Sequence, residues 1–184
     1  MTLALVLSLT LSQAPGVEGM QRDLRSYFAG ESAEAWAFGG LGLVSLGSGV
    51  GLLFGGTGAT RGAAVPLLSV GLIQAVLAIG LWVRTPGQVA GLEAQLAADA
   101  SAYRATEGSR MERVMRGFAV YKAAEVALFF GGLGLSGAGG TLKSDFALGA
   151  GFTLAAEALV MLVLDFYAEG RGRLYQAAIS GFRF

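Results

Sequence analysis

The chain has 184 residues, 54% of them hydrophobic and 14% charged, with a mean hydropathy of +0.60. Average soluble domains carry roughly 25% charged residues, so the composition points away from water and toward lipid. Basic and acidic residues balance at 13 each, which leaves no global basic field to recruit nucleic acid. With no His and no Cys, the chain lacks imidazole and thiolate ligands, disulfides and most acid–base triads. No cofactor and no metal is expected.

The N-terminus opens on an apolar run of 11 residues, Thr2–Ser12, too short to span a bilayer. Ser12 and Ala14 resemble a signal-peptide cleavage site. Against cleavage, no Lys or Arg precedes the run, Pro15 would follow the cut, and the charge balance described below would be inverted. Residues 1–19 therefore stand as an apolar segment, signal-like or an extension ahead of Met20, and residues 20–184 form one membrane domain.

A helix crosses about 30 Å of hydrocarbon with about 20 mainly apolar residues. Four segments qualify: 36–56, 63–83, 117–137 and 146–166. The first carries no charge, whereas the third contains Lys122 and Glu125, and the fourth contains Glu157 and ends at Asp165. The apolar runs are continuous rather than alternating, which excludes barrel strands. The expected fold class is an all-α, four-helix transmembrane bundle.

Outside these spans, Arg22, Arg25, Arg84, Arg104, Arg110, Arg113, Arg116, Arg171, Arg173 and Arg183 fall on one side, and only Arg61 and Lys143 on the other. Positive residues favour the cytoplasmic side, so both termini and the connection 84–116 are expected there. An excess of 11 Arg over 2 Lys, with abundant Ala and Gly, suggests a bacterial chain of the inner membrane.

The outward links, about Thr57–Gly62 and Ala138–Asp145, are short and Gly-rich, as tight hairpins require. Within 84–116, Pro86 is expected to open an amphipathic helix carrying Val89, Leu92, Leu96 and Tyr103 on one face. Gly108 is expected to end it. Ser109 and Glu112 then match a capping box that starts the helix leading into the third span. Arg110, Arg113 and Arg116 are candidates to hold anionic lipid headgroups, although fixing orientation and solvating the helix end accounts for them more simply. The tail, 167–184, mixes aromatic and basic residues and suits an interfacial helix.

Counted from the cytoplasmic end of each span, Ser45, Gln74 and Glu157 lie nine residues in and Glu125 eight. All four are thus expected roughly 12–14 Å deep, in one polar layer, with Lys122 one turn nearer the cytoplasm. The favoured reading is a hydrogen-bonded staple that sets helix register, worth about 0.6–2 kcal/mol per bond. The sharper one is a proton or substrate site, which intramembrane acids often mark. Gly47, Gly51 and Gly55 form a stripe for close helix packing, within the bundle or in a homodimer seam. Gly-Gly-Leu-Gly-Leu recurs at 39–43 and 131–135, a hint of two related hairpins.

The functional expectation is a structural or interaction subunit rather than an enzyme, because no nucleophile with an activating base is present. Its partners would be the lipid bilayer and a second copy or another membrane protein. The alternative is a small proton-coupled transporter or channel using Glu125 and Glu157.

Overall fold

The computed structural model describes residues 16–184. The expectations for Thr2–Ser12 and for a cut near Ser12 and Ala14 lie outside the described residues. Four helices follow in chain order: α1, Val17–Leu53; α2, Gly58–Ala98; α3, Ala100–Thr141; and α4, Asp145–Gly181. They contain 37, 41, 42 and 37 residues, so each is about 55–63 Å long. That is roughly twice the hydrocarbon thickness of a bilayer. Each is long and apolar enough to cross a membrane.

Antiparallel hairpins α1–α2 and α3–α4 form the two halves of the bundle, and α2 packs along α4 to join them. The turns have clear local causes. Gly56 takes φ +79, which glycine alone adopts without strain, and Thr57 then caps α2 by accepting from Thr60 N at 3.1 Å. Ser144 caps α4 by accepting from Ala147 N at 3.3 Å.

The middle connection differs from expectation. Pro86 opens no new helix but lies inside α2, and Gly108 and Ser109 lie inside α3. The reversal comes at Asp99, whose extended backbone (φ −152, ψ 94) breaks the helix and whose carboxylate accepts from Ala102 N at 2.9 Å. The Ser109–Glu112 pair therefore caps nothing. Tyr103 shares a core with Leu96, but from the next helix rather than the same one. The tail is likewise no separate helix: α4 runs on to Gly181, and Tyr175, Ile179 and Phe182 are buried in the bundle core. Those side chains are thereby taken up by protein, leaving Leu174 and Phe184 exposed.

The two ends of the bundle obey opposite packing rules. At the end that holds the α1 N-terminus and the α2–α3 turn, the core is large and apolar: Met20, Leu24, Phe28, Leu96, Tyr103 and Met111 pack with Tyr175, Ile179 and Phe182. We call this end the cap. At the other end, the buried residues are small, among them Gly42, Gly49, Gly71, Ala78, Gly132, Gly139, Gly151 and Ala155. The large side chains there point outward, including Leu43, Val44, Leu72, Ile73, Ile79, Phe130 and Phe152.

Glycines at this apolar end are needed where backbones touch. A Cβ at Gly42 would stand 2.9 Å from Gly71 O, and one at Gly132 would stand 2.6 Å from Ala155 N. Both recurring Gly-Gly-Leu-Gly-Leu strings thus lie at a hairpin crossing, although different glycines make the contact. The expected stripe does not pack within the chain. Gly47 and Gly51 have open space where a Cβ would go, and Gly55 meets only Thr60 of its own turn. The buried side of α1 is the opposite one, carrying Gly42, Ser45 and Gly49.

Candidate functional site

Three of the four residues expected in one polar layer do meet. Ser45 grows from α1 and Gln74 from α2 beside the Gly42–Gly71 crossing, where the two backbones approach most closely. Glu157 projects from α4 toward both. The Ser45 hydroxyl donates to Glu157 Oε1 at 2.7 Å, and Gln74 Nε2 donates to Glu157 Oε2 at 3.3 Å. All three residues are buried. One carboxylate therefore ties three helices through two neutral donors.

Glu125 is not part of this knot. Its charged neighbours are Asp165 and Lys122, and its Oε2 is buried without a hydrogen-bond partner. Lys122 in turn forms an ion pair with Glu169, which also holds Arg173 at 2.8 Å. Asp165 lies eight residues, about two turns, from Glu157 along α4, so Glu125 meets that helix at a different level from the knot.

Lys122 belongs to a band of charge between the cap and the apolar end. On α1, Glu31 accepts from Arg84 at 2.8 Å and from the Thr85 hydroxyl at 2.9 Å, and Glu34 pairs with Arg171 at 2.6 Å. Exposed aromatics lie at the same level: Trp36 stacks edge-on against Trp82 with ring centroids 4.9 Å apart, and Tyr121, Phe166 and Tyr167 continue the ring. Spacing offered a clue to this band, since Asp165, Glu169 and Arg173 recur every four residues and so share one face of α4. Trp36 and Trp82, each at the edge of an apolar segment, offered another.

The three candidate headgroup arginines part company. Arg110 is turned inward, holding the fully buried Glu107 through two bonds of 2.7 and 2.6 Å and lying over the rings of Phe28 and Tyr27 at 5.4 and 5.8 Å. It is not free for a headgroup, because Glu107 is its counterion. Arg113 and Arg116 remain exposed. Beside the Glu107–Arg110 pair, the Tyr103 and Tyr175 hydroxyls lie 2.7 Å apart, well inside the cap. Burial pushes the Tyr103 phenol up to about 12, with the Glu107 charge acting in the same direction.

Among the described residues no set of three or more acidic side chains is gathered into a metal-binding group. No protein-family model, curated protein or solved structure matches the chain.

Proposed function

We propose that this chain is a four-span integral membrane protein, in the inner membrane of a bacterium, that serves as a structural or interaction subunit. The observation that carries this reading is the reversal of packing along the bundle. Small residues inside and large apolar ones outside suit helices solvated by lipid, where close backbone contact replaces the hydrophobic effect as the adhesive. A large apolar core suits the part solvated by water. The belt of Trp36, Trp82, Tyr121 and Tyr167, backed by ion pairs, suits the interface between the two solvents. The one-sided arginine distribution supports a cytoplasmic cap.

On this reading the bilayer holds the apolar end, and the cap is a rigid continuation of the same four helices. Its groove between α1 and α2, about 360 Å³ and lined by Arg25, Phe28, Ser32, Pro86, Val89 and Glu93, offers mixed apolar and charged contacts to a partner. The Ser45–Gln74–Glu157 knot supports a structural role for the polar layer, since both carboxylate oxygens are engaged by neighbouring helices.

A second reading, proton-coupled transport, draws on the Glu125–Asp165 pair, where two carboxyls face each other and one oxygen is unpartnered. It would use Glu125 and Glu157 as separate stations, because their contacts lie on different neighbours. The two readings separate in liposomes. The subunit reading expects no protein-dependent dissipation of a pH gradient. Flux that disappears in Glu125→Gln while the variant still folds would overturn it. Single cysteines introduced at Thr57, Lys143, Asp99 and Gly181 of this Cys-free chain test the topology. A membrane-impermeant thiol reagent applied from outside is expected to label only the first two.

A further inference from the structure

Glu125 of α3 and Asp165 of α4 are each 8% exposed, and their carboxyls lie within hydrogen-bonding reach of one another. Glu125 Oε2 is buried and meets no donor. An ionised carboxylate only accepts hydrogen bonds, so two ionised groups in this position have nothing to share. They would also set two like charges side by side away from water.

The charges around the pair decide what is missing. From α1, Glu34 senses the Asp165 charge and is held by Arg171 of α4, while Glu31 is held by Arg84 of α2. On α4, Glu169 pairs with Arg173 and with Lys122 of α3. Each of these three acids is matched by a base, and Glu169 by two. One surplus positive charge is therefore left to face two carboxyls. A single proton on the pair makes this band neutral and supplies the donor that two facing acceptors lack. Bound water would supply donors but leave the excess negative charge in place. The proton belongs to the pair rather than to either residue.

The position of the pair gives that proton a consequence. The main neighbour of α3 is α4, with only minor contact to α2. Repulsion between Glu125 and Asp165 thus acts on the interface that holds α3 in the bundle.

We propose that Glu125 and Asp165 form a binding site for one proton shared across the α3–α4 interface, and that its release loosens α3 from α4. The site goes beyond the subunit reading and requires no flux: a proton that is held and released on one side moves nothing across a membrane. Flux in liposomes would overturn the subunit reading and leave the shared proton standing, whereas the measurements below address the proton alone.

The test uses the full chain purified in detergent. Infrared difference spectra of the wild type at neutral pH are expected to show the carbonyl stretch of a protonated carboxylic acid that is lost in both Glu125→Gln and Asp165→Asn. Either substitution leaves one carboxylate beside the surplus positive charge, so the remaining acid ionises. Glu112→Gln, an exposed acid on α3, is expected to keep the band. Spin labels on cysteines introduced at Ala127 of α3 and Val163 of α4, both exposed, read the consequence in chains that keep both acids. They are expected to move apart as pH rises between about 7 and 10, below the range in which Tyr103 titrates. In Glu125→Gln, whose amide replaces the proton as donor, the separation is expected to stay constant. A band that survives in Asp165→Asn assigns the proton to Glu125 alone and overturns the sharing. Absence of any band that these two substitutions remove overturns the site, and a label separation independent of pH in the chain with both acids overturns the loosening.

Discussion

The Ser45 hydroxyl on α1 donates to Glu157 Oε1 on α4 at 2.7 Å, joining residues 112 positions apart in the chain. No helix–helix loop links these two elements directly, so the bond sets how the first hairpin sits on the second. Interhelical hydrogen bonds in apolar surroundings average about 0.6 kcal/mol and reach about 1.7. A charged acceptor places this one toward the upper part of that range. Ser45→Ala is therefore expected to destabilise the detergent-solubilised protein by about 1.5 kcal/mol, read as a shift of its denaturant-unfolding midpoint. An unchanged midpoint would show that the bond is not a staple.

The Glu107–Arg110 pair should behave differently, because Glu107 is fully buried and the pair is doubly bonded. Removing one partner of such a pair leaves an uncompensated charge and costs about 3–5 kcal/mol. Arg110→Ala is expected to melt the cap or prevent folding, whereas Arg113→Ala and Arg116→Ala stay close to wild type. The double variant Glu107→Leu with Arg110→Met is expected to recover most of the loss. Circular dichroism during thermal unfolding reads all four, and equal effects at Arg110 and Arg113 would contradict the inward position of Arg110.

Glycine substitutions should split into two groups. Gly132→Ala forces a methyl group against Ala155 backbone and is expected to push α3 and α4 apart, with a loss of several kcal/mol. Gly47→Ala and Gly51→Ala meet open space, so helix propensity alone acts and a gain of up to about 1 kcal/mol is expected. If Gly47→Ala instead disrupts the protein in membranes, a second chain occupies that face.

The cap tyrosines give a pH prediction. Tyr103 titrates at about 12 in the fold, above its ordinary value of 10.0, because burial disfavours the phenolate. A phenol with a raised folded pKa leaves stability intact below pH 10 and erodes it as pH rises toward 12. Tyrosinate absorbance at Tyr103 is therefore expected to appear only with unfolding of the cap, and Tyr103→Phe to flatten the alkaline limb of the stability profile. Smooth phenolate formation near pH 10 in folded protein would contradict the burial.

Much of the apolar half was legible in order along the chain. Four continuous apolar segments require four helices, and Gly56-Thr57 and Ser144 signal tight reversals. Polar residues stranded within such segments are expected to face inward, and Ser45, Gln74 and Glu157 meet in the fold. Glu125 was expected beside Glu157 because its depth was counted from the edge of an apolar segment. Hydropathy averages over about 20 residues and locates an end poorly when a helix continues unbroken past the apolar segment, as α3 does through Gly117. The same continuity hid Pro86 and Gly108 inside helices. Local breaker rules score one residue at a time, whereas a long helix packed on its neighbours overrides a single weak position.

Sequence by itself determined that four helices form, that each carries a stretch long and apolar enough to cross a membrane, and which polar groups lie within those stretches. These follow from composition and hydropathy, which act on each segment independently. Only the tertiary structure decided which glycines bear the crossings, that Arg110 belongs to Glu107, and that Glu125 faces Asp165 instead of Glu157. Those choices depend on the rotation and stagger of one helix against another, and a turn of about 100° per residue is enough to exchange a buried face for an open one.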